Sequence, residues 1–469
     1  MTDGVFDVVV IGAGPGGYVT AIRARQLGLS TAVIEKDRVG GRCLNYACIP
    51  AKAVLRSADA LDEVRKASTF GVALPEGVQP TVDFPTVAKR RDRVIKTMTG
   101  GVGGLLKKHE VTLVEGTATF APPTADGVIE IHVSTAEGVK AVRAAHVVLA
   151  TGSISLPVLG VPFGGRVVDT TGAWLATALP RSLAVVGAGA SGVEVASAFG
   201  RLGTAVTLIE ALPQILPAEE PEIAAVLAKE LAKQNVELLA GAQLAAIEQN
   251  DAGVIVTVNG ERREFDALCV AAGRAPDLAG MNVEAYGVAT GERGEILVDD
   301  HQRTSNSRIF AIGDIVRGPA LAHKASEEGV VSVETIAGHP DVEPIVVDNI
   351  PRATFCSPQV ASIGLTEAQA RATGRQIVVG EFPLAAAGAA TVYGDRTGLV
   401  KIVGDAESGE ILGAHAIGAK AADMIAELAV AKSGQVGYPD LARIIHAHPT
   451  ISEAVLEAAR AADGGVLHA

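Results

Sequence analysis

One nucleotide-binding device occurs twice in this chain, and that repetition limits the fold more than any other feature. Asp7-Val8-Val9-Val10-Ile11 reads as a buried parallel strand running into Gly12-Ala13-Gly14-Pro15-Gly16-Gly17 and an apolar helix. Gly12, Gly14 and Gly17 have the G-x-G-x-x-G spacing. The first glycine permits a tight turn, the second lets backbone approach a pyrophosphate, and the third lets helix pack on strand. A second strand, Thr31 to Ile34, ends at Glu35, suitably placed to accept from a pair of ribose hydroxyls. Ser182 to Val186 then leads into Gly187-Ala188-Gly189-Ala190-Ser191-Gly192, where Gly187, Gly189 and Gly192 repeat the spacing, and Thr207 to Ile209 ends at Glu210. The offset is 175 residues for both the first glycine and the acid (12 to 187, 35 to 210). A lone G-x-G-x-x-G can be a tight turn with no ligand. Strand, turn, helix and acid repeated in register make an internal repeat and predict two dinucleotide cofactors, with electrons passing between them.

The two halves close alike, at Ala150-Thr151-Gly152 and at Ala271-Ala272-Gly273. From acid to the middle of the closing turn is 116 residues in the first half (35 to 151) and 62 in the second (210 to 272), so the first half carries an insertion. Glu210 also selects the second cofactor. An acid there accepts from the free 2′-hydroxyl of NAD and repels the 2′-phosphate of NADP, and Ala211-Leu212-Pro213-Gln214 supply no arginine for that phosphate. Beyond Arg274, Ile309-Phe310-Ala311-Ile312-Gly313-Asp314 is a short apolar strand delivering an aspartate, fit to bond a cofactor hydroxyl or else to cap a turn. After Val346 the pattern becomes an antiparallel sheet with helices. Strands are expected at Ile377–Val379, Leu399–Val403 and Ile411–His415, and helices near Lys420–Ser433 and Ser452–Ala462.

The insertion holds Cys43 and Cys48. A straight helix would separate them by roughly 7.5 Å, whereas bridged cysteines need Cα atoms within about 6.8 Å. Pro50, by removing a helical hydrogen bond and pressing on the preceding turn, is expected to bend that turn around a reversible disulfide. Two free cysteines that merely pack remain the alternative. Near the C-terminus, His446-Ala447-His448-Pro449-Thr450-Ile451-Ser452-Glu453 offers a thiol base, since histidine titrates near neutrality. His448, oriented by Glu453, is the first candidate and His446 the second. A metal site or a structural histidine would be the other readings, and no further metal-ligand cluster is evident.

Charge and composition exclude several classes. With 40 basic against 53 acidic residues, a net charge of −13 and 3% aromatics, the chain lacks the basic surface that nucleic-acid binding needs. Four cysteines in 469 residues are no secreted disulfide scaffold. No window supplies the roughly 20 apolar residues of a membrane span. With the first strand starting near residue 6, a cytoplasmic protein without a leader is expected.

Taken in order, these motifs, with Cys43-x-x-x-x-Cys48-Ile49-Pro50-x-Lys52, Leu321-Ala322-His323-Lys324-Ala325 and the C-terminal His-x-His-Pro-Thr-x-Ser-Glu, cover essentially the whole chain. It resembles the flavin-dependent pyridine-nucleotide–disulfide oxidoreductases, and within them the dihydrolipoamide dehydrogenase branch. The resemblance implies an α/β fold of two Rossmann-like dinucleotide-binding domains, for FAD and NAD, plus a C-terminal α+β dimerisation domain. The expected segments are 1–150 (FAD and disulfide), 151–273 (NAD), 274–345 (completing the FAD site) and 346–469 (dimerisation). It implies oxidation of dihydrolipoamide by NAD+, Cys43 as interchange thiol, Cys48 against the flavin, and His448 with Glu453 as base, reaching the cysteines of the other subunit of a homodimer. Lys52 and Glu194 would pair near the flavin. Glu35 and Asp314 would bind FAD hydroxyls, Glu210 would serve NAD, and Thr151, Gly152, Gly273 and Ala322 would also be cofactor-binding. The partner would be a lipoyl-carrying protein of a 2-oxoacid dehydrogenase or glycine cleavage complex. An NADH-dependent reductase of another disulfide or acceptor, or a flavoprotein interaction subunit, is the alternative. Arg42, Tyr46, Ala47 and Ala51 depart from the family's usual residues, and Arg42 is expected to lower the pKa of Cys43 by proximity.

Overall fold

A computed structural model describes residues 4–124 and 127–468. The chain divides into two compact units. The first comprises Met1–Ala53, Ala88–Leu156 and Gly273–Ile345, the second Val54–Val87, Pro157–Ala272 and Val346–Ala469.

The first unit is built on a seven-stranded sheet. Its parallel centre sets Phe6–Ile11 between Thr31–Glu35 and Gly138–Leu149, in the register Val10↔Val33 and Val10↔Val148. These strands are Val/Ile-rich runs rather than alternating ones because the sheet is covered on both faces. Ile309–Ala311 joins from far along the chain, pairing parallel with the end of Gly138–Leu149 as Phe310↔Val148. On one face the helices Pro15–Gln26 and Ala322–Ile336 pack together closely enough that a Cβ at Gly329 would lie 2.1 Å from Thr20 Oγ1. Arg23 and Glu334 close the end of that contact at 2.6 Å.

The second unit repeats the parallel arrangement with Val236–Leu239, Ala205–Ile209, Ser182–Val186, Ala267–Val270 and Val167–Asp169 in that order. A three-stranded antiparallel meander, Leu244–Gln249, Val254–Val258 and Glu261–Phe265, lies within it. Its C-terminal part is a five-stranded antiparallel sheet ordered Arg352–Thr354, Gln359–Gly364, Ile411–Gly418, Leu399–Asp405, Ile377–Pro383. The helices Ala421–Ser433 and Glu453–Ala462 pack against it, burying Met424, Ile425, Leu428, Val455 and Ala458 with Ile402 and Phe382. The strands expected from the sequence are present and run a few residues longer, to Pro383, Asp405 and Gly418. Among the described residues no helix is long and apolar enough to cross a membrane.

Candidate active site

The two Gly-rich turns are built alike. Gly12 and Gly187 have φ of +105° and +97°, where a side chain is strained. A Cβ at Gly17 would stand 1.8 Å from the carbonyl oxygen of Gly12, and one at Gly192 would stand 1.8 Å from that of Gly187. The fold itself therefore demands the first and third glycine of each turn. It does not demand the middle one. Gly14 and Gly189 have ordinary φ of −70°, and a Cβ would meet only Gly41 Cα at 3.9 Å in the first case and nothing within 4 Å in the second. Glycine at those two positions leaves room for a ligand that touches backbone, and each opens a helix whose free N–H groups suit a pyrophosphate. The acids match too. Glu35 accepts from the N–H of Ala13 at 2.7 Å and of Asp37 at 2.9 Å; Glu210 accepts from Ala188 at 2.7 Å and Leu212 at 2.8 Å. Each carboxylate oxygen has a second lone pair left for a ribose hydroxyl.

In the first unit the cysteine segment is docked onto the Gly-rich turn. Gly40 donates to the Ala13 carbonyl at 2.8 Å, and Gly41, at φ +55°, approaches Gly14 so closely that a Cβ would lie 2.6 Å from its Cα. Helix Gly41–Asn45 carries Cys43, Tyr46 and Ala47 break it, and a new helix, Cys48–Lys66, begins at the second cysteine. Pro50 therefore does not bend a helix between the sulfurs as expected. It is the third residue of the new helix, where a missing N–H costs nothing. The break itself brings the cysteines together, with Tyr46 and Ala47 both donating to the Arg42 carbonyl, at 2.8 and 2.9 Å. The Tyr46 hydroxyl ties the turn to Asp37 at 2.5 Å.

Cys43 and Cys48 are present as half-buried thiols. The Cys43 thiol is hydrogen-bonded to Cys48, and this contact together with burial pushes its pKa up. The Lys52 ammonium and the Cys48 backbone N–H pull the other way without prevailing. Lys52 is thus a cation that acts on Cys43; the lowering by Arg42 is to be read from the thiol pKa of Arg42→Thr.

At the sheet's far edge Asp314 accepts a hydrogen bond from the Ser153 hydroxyl, which also accepts from Arg274 Nε at 2.7 Å. Gly152 takes the Asp277 N–H at 2.8 Å, and the buried Thr151 hydroxyl has no protein partner. Two residues given no role from the sequence hold this edge. Lys324 and Glu328, one turn apart in the helix that Ala322 opens, form a buried ion pair of 2.7 Å. Glu328 accepts from the Gly313 N–H at 2.7 Å while Lys324 donates to the Gly313 carbonyl at 3.2 Å, so the peptide groups on both sides of Gly313, the residue before Asp314, are held. The signal was an i, i+4 Lys/Glu pair on a helix face otherwise made of small residues. Glu328→Ala leaves a buried lysine charge and an unpaired N–H, and is expected to cost about 3–5 kcal/mol, read as a lower urea midpoint with an unchanged slope.

In the second unit Glu194 is buried in helix Ala190–Leu202, and its Oε1 accepts from the Phe355 N–H at 2.8 Å. The two C-terminal histidines are distinguished by their partners. His446 is enclosed, with Nε2 2.6 Å from Glu427 Oε1 and Nδ1 3.0 Å from the Ile444 carbonyl, so both nitrogens face acceptors. His448 has Nδ1 2.9 Å from Glu453 Oε1 and a side chain 76% exposed, which leaves Nε2 open. Burial would raise the Glu453 carboxyl, but the Thr450 N–H and His448 hold it below the usual range, so it stays ionised and fixes the tautomer of His448. Among the described residues no group of three or more histidine, cysteine or acidic side chains could hold a metal ion.

Comparison with known proteins agrees with this geometry. A family profile described as pyridine nucleotide-disulphide oxidoreductase matches residues 6–329, and its dimerisation domain matches residues 350–459. A dihydrolipoyl dehydrogenase of Geobacillus stearothermophilus is 40% identical, over 98% of this chain and 97% of that protein. One of Rhizobium etli is 39% identical over 99% of both. Among solved structures, LpdA of Mycobacterium tuberculosis superposes with a TM-score of 0.89 at 27% identity, covering 97% of this chain and 99% of that one. The HOCl-induced flavoprotein disulfide reductase RclA of Escherichia coli, as its Cu(II) complex, superposes with a TM-score of 0.86 at 27% identity, with the same coverage.

Proposed function

Because the chain belongs to the pyridine nucleotide-disulphide oxidoreductase family, we propose that it oxidises dihydrolipoyl groups with NAD+ as a homodimer. FAD occupies the first Gly-rich turn and NAD the second. The observation that carries this reading is the Cys43–Cys48 contact fastened by Gly40 and Gly41 to the first turn, which ties a dithiol/disulfide couple to one dinucleotide site. The names of the relatives supply the substrate class.

The residues divide the work as follows. With the pair oxidised, Nε2 of His448 takes the proton from one thiol of the dihydrolipoyl group, and Glu453 stabilises the imidazolium. The substrate thiolate attacks Cys43 Sγ; the Cys43–Cys48 bond breaks, and Cys48 leaves as a thiolate. The second substrate thiol then passes its proton to Cys43 as its sulfur attacks the one bound to Cys43, breaking the mixed disulfide, releasing the cyclic disulfide and leaving Cys43 as thiol and Cys48 as thiolate, with the first proton still on His448. In the reduced pair the Cys43–Cys48 hydrogen bond lets one proton serve both sulfurs, so the couple carries a single thiolate charge. FAD at the first turn would supply the two-electron chemistry that couples the dithiol to the nicotinamide. Asp314, Glu35, Thr151 and the N-terminus of the helix beginning at Ala322 would hold FAD, and Glu210 the adenosine ribose of NAD. In the dimer, His448 of one protomer serves the cysteines of its partner. A lipoyl-bearing protein brings the substrate.

Anaerobic titration of the purified yellow protein with dihydrolipoamide, followed by NAD+, tests the reading. A long-wavelength absorbance band and then NADH are expected. A flavin that stays oxidised with dihydrolipoamide but is reduced by NADH would move the substrate to another disulfide or acceptor, the activity class named for the RclA structure.

A further inference from the structure

Two strands of the C-terminal sheet read as largely apolar, yet each encloses an ionisable residue in mid-strand, Lys401 in one (which also ends at the buried Asp405) and His415 in the other. Lys401 lies in Leu399–Asp405 with its side chain 3% exposed, and His415 lies in Ile411–Gly418 at 0%. Burying charge is costly unless it is paired, and here both residues face the same short segment, Glu219-Glu220. Lys401 Nζ is 3.2 Å from Glu220 and 2.8 Å from Glu367, and also contacts Glu222. Glu220 accepts from the Glu367 N–H at 2.5 Å and lies 3.6 Å from His415. Arg352 reaches Glu219 at 3.3 Å.

Glu219 and Glu220 end the loop that begins at Glu210. Within that loop Leu216 is buried and has φ of +46°, a conformation a leucine keeps only when its surroundings impose it. Its N–H donates to the Ala188 carbonyl at 2.8 Å, and its own carbonyl accepts from Glu219 N–H at 2.8 Å. Ala188 is the second residue of the second Gly-rich turn, and its N–H is already held by Glu210 at 2.7 Å. The peptide groups that would face a pyrophosphate are thus clamped by a loop whose other end is anchored in the enclosed ion cluster.

We propose that Lys401, acting through Glu220 and Leu216, is a positioning residue for the second dinucleotide site: it sets the shape of the Gly187–Gly189 turn without touching the ligand. This rests on the assignment of NAD to that turn. The test uses the full-length flavin-loaded protein and follows NADH binding by fluorescence titration, KM and kcat for NAD+, and anaerobic reduction of the flavin by dihydrolipoamide. Lys401→Met is expected to weaken NADH binding and raise KM for NAD+ by about tenfold or more, leaving the rate of dithiol reduction and the flavin spectrum unchanged. Lys401→Arg should recover most of the loss. Should Lys401→Met not accumulate as folded holoprotein, Glu222→Gln, which neutralises the most exposed of the three acidic partners of Lys401, is measured in the same way, with a several-fold weakening expected. NADH binding unchanged in the folded variant overturns the proposal and leaves the cluster a purely structural one. Wild-type protein that bound no NADH would instead strike the cofactor assignment itself.

Discussion

Cys43→Ser and Cys48→Ser should each yield a yellow, folded protein that no longer oxidises dihydrolipoamide. Loss to background is expected rather than a graded effect, because the disulfide is an obligatory covalent relay and serine can neither form it nor accept the electron pair. Flavin retention is expected because the groups assigned to it lie elsewhere, on the Gly12–Gly17 turn, at Glu35, and at the Asp314 edge gripped through Gly313 by Lys324 and Glu328. Each variant should still pass electrons from NADH to an acceptor that takes them from the flavin directly, which shows the nicotinamide half intact. Full dihydrolipoamide turnover in either variant would make the pair a packing contact and remove the disulfide from the mechanism.

Much of this arrangement was legible in the residues because local rules and global fold agree at the two turns. A strand, a glycine turn, a helix and an acid in fixed register admit few alternatives, and both copies repeat down to the acid's two backbone hydrogen bonds. The C-terminal strands and helices were equally readable, since a turn residue such as Gly409 breaks their apolar runs, although Gly404-Asp405, which also reads as a turn, is paired within the strand Leu399–Asp405. Contacts made at long sequence separation were not readable. Nothing near His446 in the sequence reveals Glu427, nineteen residues upstream, whose carboxylate occupies Nε2. The register of Phe310 against Val148 is similarly hidden.

Pro50 shows a different limit. Its chemistry was read correctly as incompatible with a helix interior, but the same residue is favoured in a first turn, and only the break at Tyr46-Ala47 decides which applies. Lys324, Lys401 and His415 share a third pattern. Each is an ionisable residue that the fold encloses, Lys401 and His415 in largely apolar strands and Lys324 in a charged helix start, and each holds backbone or acid that in turn shapes a proposed dinucleotide site. Such residues look like surface charge in composition and like exceptions in periodicity; their role follows only from burial.

His448→Gln should cut dihydrolipoamide oxidation by about 10²–10⁴-fold, the range for loss of a positioned general base, while His446→Gln should change it far less. The difference follows from the free valence. His446 has both ring nitrogens against acceptors, Glu427 and the Ile444 carbonyl, so it has no site left for a thiol proton. His448 has Nδ1 on Glu453 and Nε2 open. Reduction of the flavin by NADH needs no thiol base and should be unaffected by either change. The location of the base can be read from mixed dimers. If His448 serves the cysteines of its partner, a heterodimer of one Cys43→Ser chain and one His448→Gln chain contains one site with an intact Cys43 and an intact His448, although each homodimer has none. Refolding or co-expressing the two chains should therefore restore about half the wild-type activity per heterodimer. Mixed dimers as inactive as their parents would place base and disulfide on the same chain. A wild-type rate in His448→Gln would remove the base assignment altogether, since His446 has no open nitrogen with which to replace it.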